Sequence, residues 1–175
     1  IVDVATTHDG IVFDDVTPQR FANELRGRRV KSVRRRGKHL WFELDRRPWP
    51  VFHFGMTGGF HAYTERKNRP RFWKVELLTS NGARLAMTDV RRFGRIRLRN
   101  DPEHERPIDQ LGFDPLLDLP PFAEFARRLT RRSAPVKAVL LDQGFAAGVG
   151  NWIADEVLFQ ARIAPHRRAS DLSPA

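Results

Sequence analysis

The sequence has 175 residues, of which 41% are hydrophobic, so it can form one domain or two small ones around a real core. No run of about 18 apolar residues is present, which excludes a membrane-spanning helix, and the absence of cysteine excludes disulfides and thiolate metal sites within the sequence. The 31 Lys and Arg residues outnumber the 21 Asp and Glu residues, and the net charge of +10 indicates a polyanionic partner such as nucleic acid, unless it reflects an arginine-rich proteome.

The first hundred residues show mainly the alternating pattern of β-strands. Residues 1–6 predict a strand, and Thr17 followed by Pro18 predicts a helix that ends near Gly27. Further strands are predicted around Val30 and Val33, and at 39–44, 49–54, 72–78, 83–87 and 95–98, with a hairpin turn at Asn81-Gly82. This part of the sequence therefore predicts a two-sheet β-sandwich with a flanking helix.

The pattern becomes helical after a polar boundary at residues 100–107. Residues 111–116 read as an ordered connector. Helices are then predicted at 120–129, from Ala134-Pro135 to Leu141, and from Asn151, as the N-cap, to Ile163. We predict an α+β protein in three parts: a sandwich domain over 1–105, a connector over 106–118 and a helical domain over 119–175.

Both ends of the sequence carry signals of a longer natural chain. Ile1 lies inside an apolar alternation, without an initiator Met or a signal peptide. Ser170, or Ser173 followed by Pro174, marks a helix start that the sequence does not continue. We therefore expect that the natural chain extends beyond both ends.

A basic segment precedes the strand predicted at residue 39. From Arg26 to Lys38, eight of thirteen residues are Lys or Arg. On a strand edge Arg34, Arg36 and Lys38 would face the same way, and each phosphate contact would add salt-sensitive affinity. An edge strand that charge protects against aggregation would show the same run, so this segment alone does not decide between the two interpretations.

Two loops carry residues suited to contact a DNA base step. In residues 53–59 three glycines surround Met56, which predicts either a projecting apolar side chain or an ordinary core methionine. In residues 88–94, Arg91 and Phe93 lie two positions apart on a turn. Arg can fill a vacated base position and Phe can wedge between bases, unless Phe93 folds back into the core.

A third glycine turn, Gly148-x-Gly150, precedes Asn151 at the start of the last predicted helix. Free backbone N–H groups at such a helix start bind anions. As a dinucleotide fingerprint the turn is incomplete, because Ile153 replaces its third glycine and the preceding segment is helical rather than a strand. A tight glycine turn between two helices is more typical of a phosphate clamp on DNA.

Four motifs, in this order, resemble one family, the formamidopyrimidine-DNA glycosylases and endonuclease VIII-like base-excision enzymes. They are Arg36-Gly37-Lys38, His53-Phe54-Gly55-Met56, residues 89–94, and residues 134–167, which are similar to the family's helix–two-turns–helix segment. The resemblance covers nearly the whole sequence. Residues 68–73, reading NRPRFW, are more similar to the plant, fungal and related bacterial branch.

The resemblance implies roles for individual residues. Lys38 and Asn151 would hold the phosphates that flank a damaged nucleotide, with the DNA between the two domains. Met56, Arg91 and Phe93 would fill the gap that remains when this nucleotide is flipped out. The other implied roles are DNA binding by His53 and Gly150, contact with the substrate strand by Lys137, ordering of the site by Glu156, and catalytic support by Lys38.

The resemblance also implies a reaction, namely base excision by a DNA glycosylase with abasic-site lyase activity. In the family, an N-terminal proline amine attacks the sugar C1′, the base leaves, and a Schiff base precedes strand cleavage by elimination. A terminal amine with a pKa of about 8 leaves more neutral nucleophile at pH 7 than a lysine at about 10.4. The sequence contains neither this Pro-Glu opening nor the family's structural zinc finger, so we expect both in parts of the natural chain outside it.

The expected partner is double-stranded DNA that contains a damaged, oxidised base or an abasic site. No cofactor or metal is expected within the sequence, because its six histidines form no metal-binding pair. We expect a monomer in the bacterial cytoplasm, associated with the nucleoid and not with a membrane. The alternatives are a non-catalytic protein that binds damaged or abasic DNA, and a basic RNA-binding protein, which would explain the charge but not the motifs.

Overall fold

The computed structural model describes residues 1–172, and the chain divides into two compact units, Ile1–Arg106 and Pro107–Ala175. The first unit consists of two four-stranded antiparallel sheets with a helix, and the second is helical. The predicted α+β fold, with a two-sheet part before a helical part, is therefore confirmed.

The first unit is built from eight strands and one α-helix. The strands are β1 (Asp3–Thr6), β2 (Val30–Arg36), β3 (His39–Leu44), β4 (Trp49–His53), β5 (Gly59–Tyr63), β6 (Trp73–Leu78), β7 (Arg84–Thr88) and β8 (Arg95–Arg99), and the helix is α1 (Pro18–Leu25). One sheet has the strand order β1-β6-β7-β5 and the other has the order β2-β3-β4-β8. The sequence pattern does not predict β5, because this strand begins at a glycine and includes the weak strand former Ala62.

The core of the first unit lies between the two sheets and α1. Phe42 and Phe52 from one sheet, Val75 and Met87 from the other, and Phe21 from α1 are buried in one cluster. Their burial accounts for the apolar alternation of the strands, since every second side chain of a strand faces the core.

Two short motifs in the sequence predict their local structure correctly, namely the start of α1 and the hairpin between β6 and β7. The hydroxyl of Thr17 accepts the backbone N–H of Arg20 at 3.2 Å, and Pro18 is the first residue of α1. Gly82 has a φ of +83° in the hairpin between β6 and β7, and its N–H donates to the carbonyl of Thr79 at 3.0 Å. The first turn fixes the entry to α1, and the second fixes the register of β6 against β7 at their hairpin end.

The described part of the second unit packs three α-helices around a separate core. They are α2 (Phe122–Thr130), α3 (Val136–Leu141) and α4 (Asn151–Gln160). The core contains Phe113, Leu129, Val139, Phe145 and Leu158.

The predicted helix start at Ser170 is wrong, because Ser170 lies inside a short 3₁₀ turn, Ala169–Asp171. This turn begins earlier than the sequence suggests, since the buried Ala169 donates its N–H to the carbonyl of Ala134 at 3.0 Å. The alternative start at Ser173 and Pro174 lies outside the described residues.

Gly112 brings the connector against the turn that follows α3. Its N–H donates to the carbonyl of Gln143 at 2.9 Å, and the N–H of Ala147 donates to the carbonyl of Phe113 at 2.8 Å. A Cβ at position 112 would lie only 2.3 Å from the carbonyl oxygen of Phe145. The connector can therefore take this path only with glycine at residue 112.

We expect Gly112→Ala to destabilise the chain by about 1–3 kcal/mol, because the added methyl group forces the two backbone segments apart. Urea unfolding measures this change. Gly10→Ala is a matched control, since a Cβ at Gly10 meets no atom within 4 Å. Equal unfolding midpoints for the two variants would contradict the expected clash.

Candidate nucleic-acid interface

Lys38 lies in the two-residue turn that joins β2 to β3. Arg36 pairs with His39 across the hairpin, and Gly37 has a φ of +56°, which glycine adopts readily. The predicted alternation of Lys38 with Arg34 and Arg36 along one strand is therefore wrong, although β2 is an edge strand. Lys38 is exposed, and partial desolvation lowers the pKa of its ammonium group from the usual value.

Two histidines face each other across the sheet directly after this turn. His39 on β3 pairs with His53 on β4, and their ring centroids are 4.9 Å apart. Burial, together with the charge of Arg97 and the charge that His53 carries when it is protonated, lowers the pKa of His39 to about 4. Burial also lowers the pKa of His53, with added effects from the charges of Arg97, Lys38 and Arg95. Both imidazoles are therefore neutral at pH 7.

The depressed pKa of His39 predicts a loss of stability in acid. The pKa of His39 is 6.5 in the unfolded chain and about 4 in the folded chain, so protonation of His39 favours unfolding. The folded state therefore has its full stability above pH 6.5 and loses stability as the pH drops towards 4. The shift corresponds to about 3 kcal/mol, which should appear as a lower free energy of unfolding at pH 4 than at pH 7.

His39→Gln should remove this part of the pH dependence. Unfolding in urea at pH 7 and at pH 4 measures it, and the same substitution at His104, whose side chain is 80% exposed, is the control. Identical pH dependence in wild type and His39→Gln would show that protonation of His39 has no such cost.

Asp89 organises the turn between β7 and β8 that carries Arg91 and Phe93. This buried carboxylate accepts the backbone N–H groups of Arg91 at 3.2 Å and Arg92 at 3.0 Å through Oδ1, and that of Gly94 at 2.6 Å through Oδ2. Phe93 is 48% exposed and lies outside the core cluster, so it does not fold back. The guanidinium carbon of Arg91 lies 4.8 Å from its ring centroid.

The turn that carries Met56 packs against the Asp89 turn. A Cβ at Gly55, which has a φ of +63°, would lie 2.7 Å from the Cβ of Phe93. A Cβ at Gly94 would lie 2.9 Å from the carbonyl oxygen of His53. The side chain of Met56 is 72% exposed, so it projects into solvent and is not a core methionine. The two glycines thus let the three predicted gap-filling residues lie on adjacent turns.

Arg92 lies between Arg91 and Phe93 in the sequence, but its side chain binds the buried Asp9. Its guanidinium donates to both carboxylate oxygens at 2.9–3.2 Å, and the ammonium group of Lys74 lies 2.8 Å from Oδ2. Burial alone would raise the pKa of Asp9, but the hydrogen bonds from Arg92 and Lys74 hold it well below its usual range. The sequence does not predict this cluster, because its members are far apart along the chain.

In the second unit, Gln143 holds the turn between α3 and α4. Its Nε2 donates to the carbonyls of Leu141 and Val149, both at 2.9 Å, and its Oε1 accepts the N–H of Gly148 at 3.0 Å. Gly148 has a φ of +93°. The sequence offers no signal for this role, since a glutamine beside a glycine turn is common on protein surfaces.

Asn151 is the first residue of α4 and is exposed. The prediction that it is the N-cap is wrong, because the extended Gly150 occupies that position and the helical conformation begins one residue later. Glycine has no side chain to bond the first N–H groups of α4, and uncapped N–H groups at a helix start are suited to bind an anion. The side chain of Asn151 has no capping role.

Lys137 and Glu156 both have partners inside the second unit. The ammonium group of Lys137, on α3, lies 2.7 Å from Oδ1 of Asp155 on α4. The exposed carboxylate of Glu156 accepts a hydrogen bond from the side-chain amide of Gln160 at 2.7 Å. DNA contact by Lys137 and ordering of the site by Glu156 stay predictions.

Across residues 1–172, no group of three or more His, Cys, Asp or Glu side chains is arranged to hold a metal ion. The structural zinc that the resemblance implies is expected in a finger outside the sequence, and it stays a prediction. In the same part of the chain, no helix has the length and apolar character needed to cross a membrane.

Two family models match the chain, and both describe parts of a DNA glycosylase. The formamidopyrimidine-DNA glycosylase N-terminal domain matches residues 1–96, and the formamidopyrimidine-DNA glycosylase H2TH domain matches residues 111–175. The chain therefore belongs to the formamidopyrimidine-DNA glycosylase family.

Individual relatives agree with this assignment. The formamidopyrimidine-DNA glycosylase of Arabidopsis thaliana is 40% identical over 183 residues, which cover 97% of this chain and 47% of the relative. That of Thermus thermophilus is 42% identical over 160 residues, covering 89% and 58%. The chain thus spans about half the length of the curated relatives that it matches.

Solved structures of DNA complexes are also similar. The complex between Lactococcus lactis Fpg and DNA containing an abasic site has a TM-score of 0.88 and 26% identity, and the match covers 99% of this chain and 64% of that one. MutM in complex with DNA containing carbocyclic 8-oxo-G has a TM-score of 0.88 and 27% identity, with 99% and 65% covered.

Proposed function

We propose that this chain is the DNA-binding body of a base-excision DNA glycosylase with abasic-site lyase activity, which acts on oxidised bases in double-stranded DNA. One observation carries the proposal. The buried carboxylate of Asp89 binds the backbone of a turn on which Arg91 and Phe93 lie at the surface. This turn packs against the turn at Gly55, where Met56 is exposed. An exposed methionine and phenylalanine beside an arginine suit the space that a flipped nucleotide leaves in the base stack.

The phosphate contacts are proposed to come from both units. In the first unit, Lys38 supplies a positive charge, while the neutral His53, whose Nδ1 accepts the N–H of Gly55 at 3.1 Å, can donate a hydrogen bond from Nε2. In the second unit, the N–H groups that follow Gly150, the side chain of Asn151 and the charge of Lys137 are the proposed contacts. Neutralised phosphates release counterions, so binding should weaken steeply with salt.

The proposed chemistry uses an N-terminal proline amine of the full-length protein. The amine attacks C1′ of the flipped nucleotide, and the base leaves with the electrons of the glycosidic bond and takes up a proton. The C1′–O4′ bond then opens to give the Schiff base, and loss of a proton from C2′ eliminates the 3′ phosphate. Lys38 would hold the phosphate during these steps and Glu156 would order the site. We also propose that the protein acts as a monomer at the nucleoid in the cytoplasm.

Two experiments test the proposal. The 175-residue chain should bind a duplex with a tetrahydrofuran abasic analogue more tightly than the undamaged duplex, and equal affinities would contradict damage recognition. Full-length protein should form a covalent adduct with a duplex containing an oxidised base in the presence of borohydride. Preferential binding without an adduct would instead support the alternative, a damaged-DNA-binding protein that does not cleave.

A further inference from the structure

The loop that follows β1 holds Asp9 in a fixed position. The N–H of Thr7 donates to the carbonyl of Lys74 on β6 at 2.9 Å, and the N–H of Ile96 on β8 donates to the carbonyl of Val12 at 2.7 Å. Asp9 lies between these two attachments and is buried. Strands from both sheets therefore fix the place of its carboxylate.

Arg92 binds this carboxylate through two nitrogens of its guanidinium group. Nε lies 3.0 Å from Oδ2 of Asp9, and Nη2 lies 2.9 Å from Oδ1. Such a two-point contact fixes the direction of a guanidinium group as well as its position. Because Arg92 lies between Arg91 and Phe93 in the sequence, the contact restrains the middle of the turn that carries them.

The backbone of Arg92 needs such a restraint. Its φ of +58° is in the left-handed region, which residues other than glycine rarely adopt. A conformation of this kind persists only where the surroundings hold it. Asp89 accepts the N–H of Arg92 at 3.0 Å, and Asp9 binds the other end of the same residue. Arg92 is thus held at both ends, while Arg91 and Phe93 on either side of it are exposed.

Lys74 keeps Asp9 ready for this contact. Its ammonium group lies 2.8 Å from Oδ2 of Asp9, and its side chain is only 12% exposed. Arg92 is 49% exposed, so its own bond to Asp9 lies at the edge of the buried cluster. Lys74 therefore supports the carboxylate from the inside, and Arg92 connects it to the turn at the surface.

We propose that Asp9 is a positioning residue for damage recognition, because it holds Arg92 and thereby keeps Arg91 and Phe93 in place before DNA arrives. This inference rests on the proposed function, which assigns gap filling to these two residues. A turn already held in one conformation loses less conformational freedom on binding. The benefit should appear with an abasic duplex, which contains a gap, and much less with an undamaged duplex.

The first test is Arg92→Gln, which leaves the ion pair of Asp9 and Lys74 in place. Fluorescence anisotropy titrations of the 175-residue chain measure its affinity for abasic-analogue and undamaged duplexes. The preference for the abasic duplex should fall about tenfold. Arg26→Gln is the matched control, since the Arg26 side chain is 47% exposed and also pairs with an aspartate. It should keep the preference of wild type.

The second test removes Asp9 without leaving a buried charge unpaired. Asp9→Ser/Lys74→Met deletes one negative and one positive charge, and a serine hydroxyl can still accept the N–H of Ile11, which Oδ1 of Asp9 accepts at 3.2 Å. The preference should again fall about tenfold, and adding Arg92→Gln should cause no further loss, because Asp9 acts through Arg92. Lys74→Met alone should keep the wild-type preference.

Three results would overturn the proposal. The first is a wild-type preference in Arg92→Gln and in Asp9→Ser/Lys74→Met. The second is an additive loss in the triple variant. The third is a slope of log affinity against log salt that falls by about 0.9 in Arg92→Gln but not in Arg26→Gln, which would make Arg92 a phosphate contact.

Failure of the proposed function gives a different result, namely a wild-type chain that does not prefer the abasic duplex. Hydrogen exchange in the free chain then tests the positioning role by itself. The amide of Gly94, which donates to Asp89 at 2.6 Å, should exchange faster in Arg92→Gln than in Arg26→Gln, because the turn opens more often. Equal exchange rates in the two variants would overturn the positioning role.

Discussion

Replacing Asp89 by Ala is expected to destabilise the first unit by about 2–4 kcal/mol, because three backbone N–H groups lose their acceptor. The bond to Gly94 is buried, so water cannot replace it without a rearrangement. The same substitution should weaken binding to an abasic duplex about tenfold, since Arg91 and Phe93 are no longer held in one conformation before DNA arrives. Urea unfolding and anisotropy titration measure the two effects.

Hydrogen exchange tests whether loss of the bonds from Asp89 to the turn causes the two effects. The amide of Gly94 should exchange faster in Asp89→Ala, whereas amides in the centre of β7 should change only with global stability. Asp45→Ala, at an exposed carboxylate, is the control for the loss of a negative charge. If Asp89→Ala retains the stability and affinity of Asp45→Ala, Asp89 does not organise the turn.

Lys38→Ala is expected to weaken binding to the abasic duplex about 10–100-fold, because a hydrogen bond between charged groups contributes about 1.5–3 kcal/mol. The slope of log affinity against log salt should fall by about 0.9, the value for one phosphate contact. Asn151→Ala removes no charge, so it should weaken binding without changing this slope. Neither substitution should alter the melting temperature, since both side chains are exposed and Asn151 does not cap α4.

Lys67→Ala and Asn23→Ala are the matched controls, since both side chains are exposed. The double variant Lys38→Ala/Asn151→Ala should lose the sum of the two binding free energies if each residue holds a separate phosphate. Unchanged affinity in both single variants, with the fold intact, would refute the proposed phosphate contacts.

The fold could be predicted largely from the sequence because its determinants are local. Thr17-Pro18 and Asn81-Gly82 specify their turns within four residues, and the apolar alternation of β3 and β6 identifies their core faces. The predictions for Lys38 and Asn151 were wrong because in each case one glycine shifts the end of a strand or the start of a helix. Gly37 places Lys38 in a turn rather than on a strand, and Gly150 takes the cap position from Asn151.

The candidate site was less accessible to sequence reasoning, because its framework joins distant positions. Asp9, Lys74 and Arg92 meet in one ion cluster although up to 83 residues separate them. Asp89 carried a usable signal, since an aspartate at the start of a turn often accepts the N–H groups that follow it. The exposure of Met56 depends on how its turn packs against Phe93, which no local pattern encodes.

The bonds by which Gln143 holds the turn before α4 are all between uncharged groups. Salt screens interactions between charges but has little effect on such bonds, so high ionic strength should release DNA while the turn keeps its shape. The second unit would then rebind DNA after dilution without a slow conformational step. After a jump from high to low salt, the observed association rate should accordingly rise in proportion to DNA concentration. A plateau at high DNA concentration would instead indicate that the turn must refold before it binds.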